Sequence, residues 1–405
     1  MRKIGVLVSV LFLASSCGGG GGGGSSGSIV STSSVGIESG PNVLSVVVDT
    51  GPTGTRPNIN LPFVSVTICA PGTSSCQTID HVLLDTGSYG LRIMASEVSP
   101  LLTLPQETDD VSGSPLAECL PFLSGYSWGA VRLADVTLAT ETATSVPIHL
   151  IGDSAFPTTP SSCSSQGAIA INSVATLGAK GILGVGPLKY DCGTGCSSSF
   201  NQYFICPSGT TCTSVSVNTP KQVANPVAML PTDNNGVVVY FPAVSSGGAA
   251  TVTGTMALGI GTRSNNSLGS ATVLDVADGS ALLQTTFNGT TLTTAFLDTG
   301  SNGLFFTYGM PLCTVARGFY CPSTTQGFTA VVRGATNGAS ASVTFNIANA
   351  ETLFASQPTY TAFSNVGGRL SGYFDWGLPF HYGRKVFTAI EGQSTPGGTG
   401  PYIAF

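Results

Sequence analysis

Charge is what this chain has least of. Only 8% of its 405 residues are Asp, Glu, Lys or Arg, and just 14 are Lys or Arg. With no basic run and a net charge of −6, it lacks the electrostatic footprint of a nucleic-acid binder. Histidine is scarce too. His81, His149 and His381 are scattered, with no His-Glu-x-x-His pair, so a zinc hydrolase is excluded. No Gly-x-Ser-x-Gly elbow leads from a strand into a helix, which sets aside an α/β-hydrolase. There is no phosphate-binding loop, and nothing calls for a metal or organic cofactor. Long apolar runs are missing as well. The apolar stretch Ile4 to Ala14 is too short to span a bilayer.

That short stretch still carries information. Arg2 and Lys3 precede it and Ser15-Ser16-Cys17 follows it, the layout of an export signal. The small residues running into Cys17 resemble a bacterial lipobox, with Ala14 where Leu is commoner; an ordinary signal peptide with an incidental Cys is the alternative. Residues 1–17 are thus expected to be a lipoprotein leader, with Cys17 the lipidated residue. Gly18 to Gly24 and Ser25-Ser26-Gly27-Ser28 open a tether over residues 18–41, with a coil span of roughly 25–30 Å. The expected setting is an exported, outer-membrane-anchored lipoprotein facing the periplasm or the cell surface, touching the membrane only through its anchor.

Setting Cys17 aside leaves ten of the 11 cysteines. An even number in an exported chain argues for up to five disulfides. Cys69/Cys76 and Cys313/Cys321 are close enough to staple hairpins. Cys192, Cys196, Cys206 and Cys212 form a cluster suited to two bridges, since their spacings do not fit zinc knuckles. Cys119 and Cys163 then pair by elimination.

Length suits two lobes of roughly 150–200 residues. Thr, Ser and Val runs broken by Gly, which number 53, point to a β-rich fold. The chain also repeats itself. Leu84–Leu91 reads LDTGSYGL and Leu297–Leu304 reads LDTGSNGL. The copies differ only at Tyr89 and Asn302 and lie about half a chain apart, as expected of a duplicated lobe. A third Asp-Thr-Gly, at Asp49, lacks the Ser and has Pro52; it reads as the turn of an early hairpin.

The repeated loop suits a catalyst. Asp supplies a carboxylate, and a Thr hydroxyl can brace the loop. Gly permits close approach, and a Ser hydroxyl can donate to the carboxylate. Two such loops meeting about a twofold axis place two carboxylates side by side, where like charges force them to share a proton. One then activates water as a base while the other protonates a carbonyl.

On these motifs the chain resembles the two-lobed, pepsin-like aspartic peptidases over nearly all of residues 42–405. KGILGVGP, from Lys180, and FDWGLPFHYG, from Phe374, resemble the apolar-apolar-Gly segments behind that family's aspartate loops. Leu378 stands where that family has Asp. The pattern also resembles a family of bacterial lipoproteins of unknown function. The resemblance implies an all-β fold, two duplicated lobes with a central cleft. The N-lobe is expected over 42–222 and the C-lobe over 223–405. It implies catalysis by Asp85 and Asp298, bracing by Thr86 and Thr299, tuning by Ser88 and Ser301, and close approach of substrate at Gly87 and Gly300. PFLSGYSWGAVRLADVTLA, from Pro121, is the expected flap. Matching its glycines puts Phe122 where the family has a tyrosine, with Tyr126 and Trp128 as the other candidate substrate contacts. Arg92 stands where the family often has Trp. No Lys or Arg occurs between Lys3 and Arg56, so no basic prosegment is expected. The expected activity is endopeptidase action on an extended peptide or protein by a monomer. The alternatives are a non-catalytic module gripping a peptide, protein or glycan, and a purely structural envelope lipoprotein.

Overall fold

The computed structural model describes residues 36–405 except 168, 198–200 and 278. The leader, Cys17 and the tether as far as residue 35 lie outside the described residues. The described chain is mostly β. Its first half contains β1 (Val43–Val48), β2 (Pro62–Cys69), β3 (Cys76–Asp85), β4 (Tyr89–Met94), β5 (Leu116–Pro121), β6 (Tyr126–Leu138), β7 (Glu141–Ile151), β8 (Gly181–Val185), β9 (Tyr203–Ile205) and β10 (Thr213–Ser214). The second contains β11 (Gly236–Tyr240), β12 (Val252–Leu258), β13 (Val273–Asp275), β14 (Leu283–Phe287), β15 (Thr290–Leu297), β16 (Leu304–Phe305), β17 (Gln326–Arg333) and β18 (Ser340–Ile347). It continues with β19 (Gly367–Gly368), β20 (Phe374–Trp376), β21 (Lys385–Ala389), β22 (Ser394–Thr395), β23 (Gly398–Thr399) and β24 (Tyr402–Ala404). None of the described helices is long and apolar enough to cross a membrane.

The patterns follow the period of two expected of half-buried strands. In β1, Leu44, Val46 and Val48 point inward and alternate with more exposed residues. β8, Gly-Ile-Leu-Gly-Val, is buried at every position because it runs through the middle of a lobe. In the first lobe β6, β7, β4, β8, β3 and β2 follow one another, and β2 pairs back onto β6 through Thr67↔Thr137. This closes a barrel and removes the exposed edges. The second lobe is built on an open sheet in the order β18-β17-β14-β15-β20-β16-β19. Its core is aromatic: Phe306 stacks on Phe374 at 5.0 Å, Phe345 and Trp376 pack edge-on, and the Trp376 indole donates to Thr285 Oγ1 at 3.0 Å.

The lobes are joined by β1, which pairs with β2 on one side and with β12 on the other, ahead of β11, β21, β24 and β13. Asn60 adds a polar rivet. Its buried side chain donates to Asn302 O and Phe363 O and accepts from Phe363 N–H and the Tyr382 hydroxyl, all within 2.9 Å. All ten described cysteines pair, as Cys69–Cys76, Cys119–Cys163, Cys192–Cys196, Cys206–Cys212 and Cys313–Cys321.

Candidate active site

Both copies of the repeated octapeptide sit in the same three-strand device. β3 ends at Asp85, the loop Thr86-Gly87-Ser88 turns the chain, and β4 leaves in the opposite direction. β8 inserts between them, parallel to β3 (Asp85↔Gly184) and antiparallel to β4 (Gly90↔Gly184). In the second lobe β15 leads to Asp298, β16 follows the loop, and β20 lies parallel to β15 (Leu297↔Trp376) and antiparallel to β16 (Leu304↔Trp376). The loop needs Gly at the strand behind it for steric reasons. A Cβ on Gly184 would stand 2.7 Å from Tyr89 N, and one on Gly377 would stand 2.1 Å from Gly303 O.

The two loops meet about a pseudo-twofold axis. Thr86 N–H donates to Thr299 Oγ1 at 3.1 Å, and Thr299 N–H donates to Thr86 Oγ1 at 3.0 Å. Each hydroxyl then donates across to the opposite strand, Thr86 to Leu297 O at 3.2 Å and Thr299 to Leu84 O at 2.7 Å. The threonine N–H, the threonine hydroxyl and the leucine carbonyl on each side are all satisfied inside the protein, which is what permits the loops to be buried.

Within this frame each carboxyl is held alike. Asp85 Oδ1 accepts from Gly87 N–H (2.8 Å) and Ser88 N–H (3.2 Å), and its Oδ2 accepts from Ser88 Oγ. Asp298 Oδ1 accepts from Gly300 N–H and its Oδ2 from Ser301 Oγ, both at 2.7 Å. Asp85 and Asp298 interact directly through their carboxyl groups. Burial pushes Asp85 up from the ordinary carboxyl value, and the bonds to Asp298, Ser88 and Gly87 pull it partly back. Asp298 is pushed well above that value, by burial first and then by the charges of Asp85 and Asp375. Such a pair titrates as a unit with a proton retained between its members. Gly87 serves a steric purpose in the pairing itself. A Cβ on Gly87 would stand 2.6 Å from Asp298 Cγ, so the missing side chain is what lets the two aspartates come together.

The hairpin of β5 and β6 turns at Phe122–Gly125, closed by Phe122 N–H to Gly125 O at 2.7 Å. Phe122 is buried among Leu120, Phe63 and Ile171, and Trp128 is buried against Phe204 with its indole N–H donating to Phe156 O. Of the three aromatics expected at the flap, these two are core residues. Tyr126, at the start of β6, is half-buried and carries a backbone exchange with Ile169 and Ile171. Asp49 lies at the end of β1, where its Oδ1 accepts Gly51 N–H in a tight turn.

Three residues around the dyad were not legible as site residues in the sequence. Arg92 is fully buried. One of its amino groups holds Tyr89 O and Gly90 O, in the strand leaving the Asp85 loop; the other donates to Glu118 and Asp191, each at 3.0 Å. Burial alone would raise Glu118, but Arg92 and His149 beside it hold it below its ordinary value. Burial and the neighbouring Glu118 push Asp191 well above its own, against the pull of Arg92 and Tyr203. Tyr89, one of the two unmatched residues of the repeat, is buried and feels the charges of Asp85 and Asp298. Asp375, in β20, is a third buried carboxyl beside the pair. The signal for it was a lone acid inside the apolar FDWG segment.

Two β lobes joined by a shared sheet, a duplicated strand–loop–strand device in each, and crossed threonines between the two Asp-Thr-Gly loops define a pepsin-like fold. The chain belongs to the family described as "Protein of unknown function (DUF3443)", whose model matches residues 38–405. Among solved structures it is similar to the crystal structure of aspartic proteinase from Irpex lacteus, with a TM-score of 0.48 and 17% identity over 89% of this chain and 96% of that chain. No curated protein matches it.

Proposed function

We propose that the protein is an aspartic endopeptidase that hydrolyses peptide bonds with water activated between Asp85 and Asp298. The observation that carries this reading is the paired carboxyls, each held by its own Gly N–H and Ser hydroxyl and set face to face by crossed threonines. In this mechanism the shared proton leaves one carboxyl free to take a proton from water. The other gives its proton to the scissile carbonyl as the tetrahedral intermediate forms. Gly87 and Ser88 on one side, and Gly300 and Ser301 on the other, hold the carboxylate that remains. Both aspartates are fully buried, so hydrolysis requires the site to open to water and to an extended peptide between the lobes. The five disulfides support an exported protein in an oxidising compartment, and the lipid anchor at Cys17 belongs to the same proposal. So do the lobe limits 42–222 and 223–405.

A second reading is a pepsin-like body that grips a peptide, protein or glycan without cutting it. It is favoured by the sealed dyad and by the burial of Phe122 and Trp128 in the core, where neither can reach a substrate. Peptide-library cleavage from pH 3 to 7 separates the two, with wild type run beside folded Asp85→Asn and Asp298→Asn. Cleavage that disappears in both variants is the expected result. No cleavage by folded wild type at any pH rejects the peptidase.

A further inference from the structure

Asp375 breaks the symmetry of the two aspartate loops. It lies in the middle of β20, between Phe374 and Trp376, and is fully buried. Its register partners are Phe296 of β15 and Phe305 of β16. Among the described residues neither of its carboxyl oxygens makes a hydrogen bond of ordinary geometry, although the Ser301 hydroxyl acts on it. In the first lobe the equivalent position is Ile182, which faces Leu83 as Asp375 faces Phe296 and sits in an apolar cluster. One aspartate loop is therefore backed by a hydrocarbon and the other by an acid.

An unpartnered carboxylate in such a place is far costlier than the neutral acid. The groups around it make ionisation harder still. Burial comes first, the Ser301 hydroxyl opposes it, and the negative charge of Asp85 adds a smaller upward push. The charge of Asp375 would in turn raise Asp298. The basic groups of the segment that follows give no relief. His381 is buried and held neutral, its pKa pushed down to about 3. Arg384 donates to Phe380 O and lies over the Phe380 ring at 4.8 Å.

The chain just past Asp375 is clamped twice to the Asp298 loop. Asp298 N–H donates to Trp376 O at 3.1 Å, and Leu378 N–H donates to Ser301 O at 2.7 Å. Between those bonds, the Ser301 hydroxyl has its proton on Asp298 Oδ2 and its lone pairs free. We propose that Asp375 stays protonated at neutral pH and acts as a positioning residue, donating its O–H to Ser301 Oγ so that Ser301 in turn donates to Asp298. The three carboxyls then hold two protons between them, and the chain Asp375–Ser301–Asp298 exists on one side of the dyad only. The proposal rests on the reading of Asp85 and Asp298 as a working dyad, but its test does not depend on turnover.

The test is a carbon NMR titration of aspartate-labelled full-length protein from pH 4 to 8, on wild type, Asp375→Asn and Asp375→Leu. Asn keeps a donor for Ser301 and cannot ionise; Leu copies Ile182 and removes the donor. In wild type the Asp375 carboxyl carbon, identified as the signal missing from whichever variants fold, is expected to keep its protonated position through pH 7. The dyad transition should stay with the wild type in Asp375→Asn. In Asp375→Leu it should move upward by roughly 0.5–1 pH unit, the worth of one hydrogen bond between neutral groups. An Asp375 signal that ionises near the ordinary carboxyl range, or equal displacement of the dyad by Asn and Leu, overturns the proposal. Absence of peptide cleavage by the same wild-type sample rejects the peptidase and leaves the proton assignment to be decided by the titration alone.

Discussion

Replacing Gly87 by Ala tests whether the two aspartates owe their closeness to a missing side chain. The backbone of Gly87 is not in the left-handed region, so strain of that kind plays no part and any effect comes from contact. The added Cβ would stand 2.6 Å from Asp298 Cγ, 2.8 Å from Oδ1 and 3.0 Å from Oδ2. Ordinary carbon contacts begin at about 3.5 Å, so Asp298 must give way by about 1 Å. A movement of that size lengthens the 2.7 Å bonds from Gly300 N–H and Ser301 Oγ past hydrogen-bond distance. Overpacking costs about 1–3 kcal/mol, and losing one charge-assisted bond costs about 1.5–3 kcal/mol more. The expected loss is therefore about 2.5–6 kcal/mol in denaturant unfolding. Peptide cleavage should fall by at least about 100-fold, because a displacement of 1 Å at the reacting groups is enough for that. Gly247→Ala is the control, since its Cβ would meet nothing within 4 Å; it should change stability by no more than about 0.5 kcal/mol. If Gly87→Ala unfolds at the wild-type midpoint and retains its activity, the contact argument fails.

Thr86→Val keeps the shape of the loop but removes an acceptor for Thr299 N–H and a donor to Leu297 O; it should destabilise by about 2–4 kcal/mol, read by denaturant unfolding, and an unchanged midpoint would show that the brace is idle. Asp298→Asn should become stabilising as pH rises. The folded-state pKa of Asp298 is raised above the ordinary 3.8, so wild type loses stability as pH climbs through 3.8 toward the folded value. The neutral amide escapes that loss, and the melting temperature of the variant relative to wild type should increase between pH 4 and 7; a constant or falling difference refutes the raised pKa. Arg92→Met strands Glu118 and should cost about 3–5 kcal/mol at neutral pH. Glu118 is lowered in the folded state, so its contribution is present above its ordinary 4.5 and lost on acidification. The penalty should therefore shrink toward pH 3, and thermal melts that show the same penalty at both pH values reject the ion-pair account.

The repeated octapeptide was readable because a loop that must bring a carboxylate, a bracing hydroxyl, a glycine and a donating hydroxyl into one tight turn admits few residue choices at each place. The same local logic made Cys69–Cys76 and Cys313–Cys321 legible, since each pair is separated by only seven or eight residues. The alternating pattern of β1 and the uniformly apolar β8 likewise follow from the two-residue period and from being covered on one face or both. The flap aromatics show where such reading stops. Phe122 and Trp128 lie in a hairpin whose existence the sequence signalled, but which way each side chain points depends on strand register and on neighbours such as Phe63 and Phe204 from distant parts of the chain.

By itself, then, the sequence determined the local devices: two Asp-Thr-Gly-Ser loops, a glycine-ended strand behind each, short disulfide staples, and a strand-rich chain with little charge. Only the tertiary structure decided what those devices face. The crossing of Thr86 and Thr299, the rivet from Asn60 to Asn302 and Phe363, the burial of Arg92 with Glu118 and Asp191, and the placing of Asp375 behind Ser301 all join residues tens to hundreds of positions apart. Their energies arise from burial and from distances of about 3 Å, and neither is set by any stretch of neighbouring residues. Both come into being when the two lobes close on their common sheet.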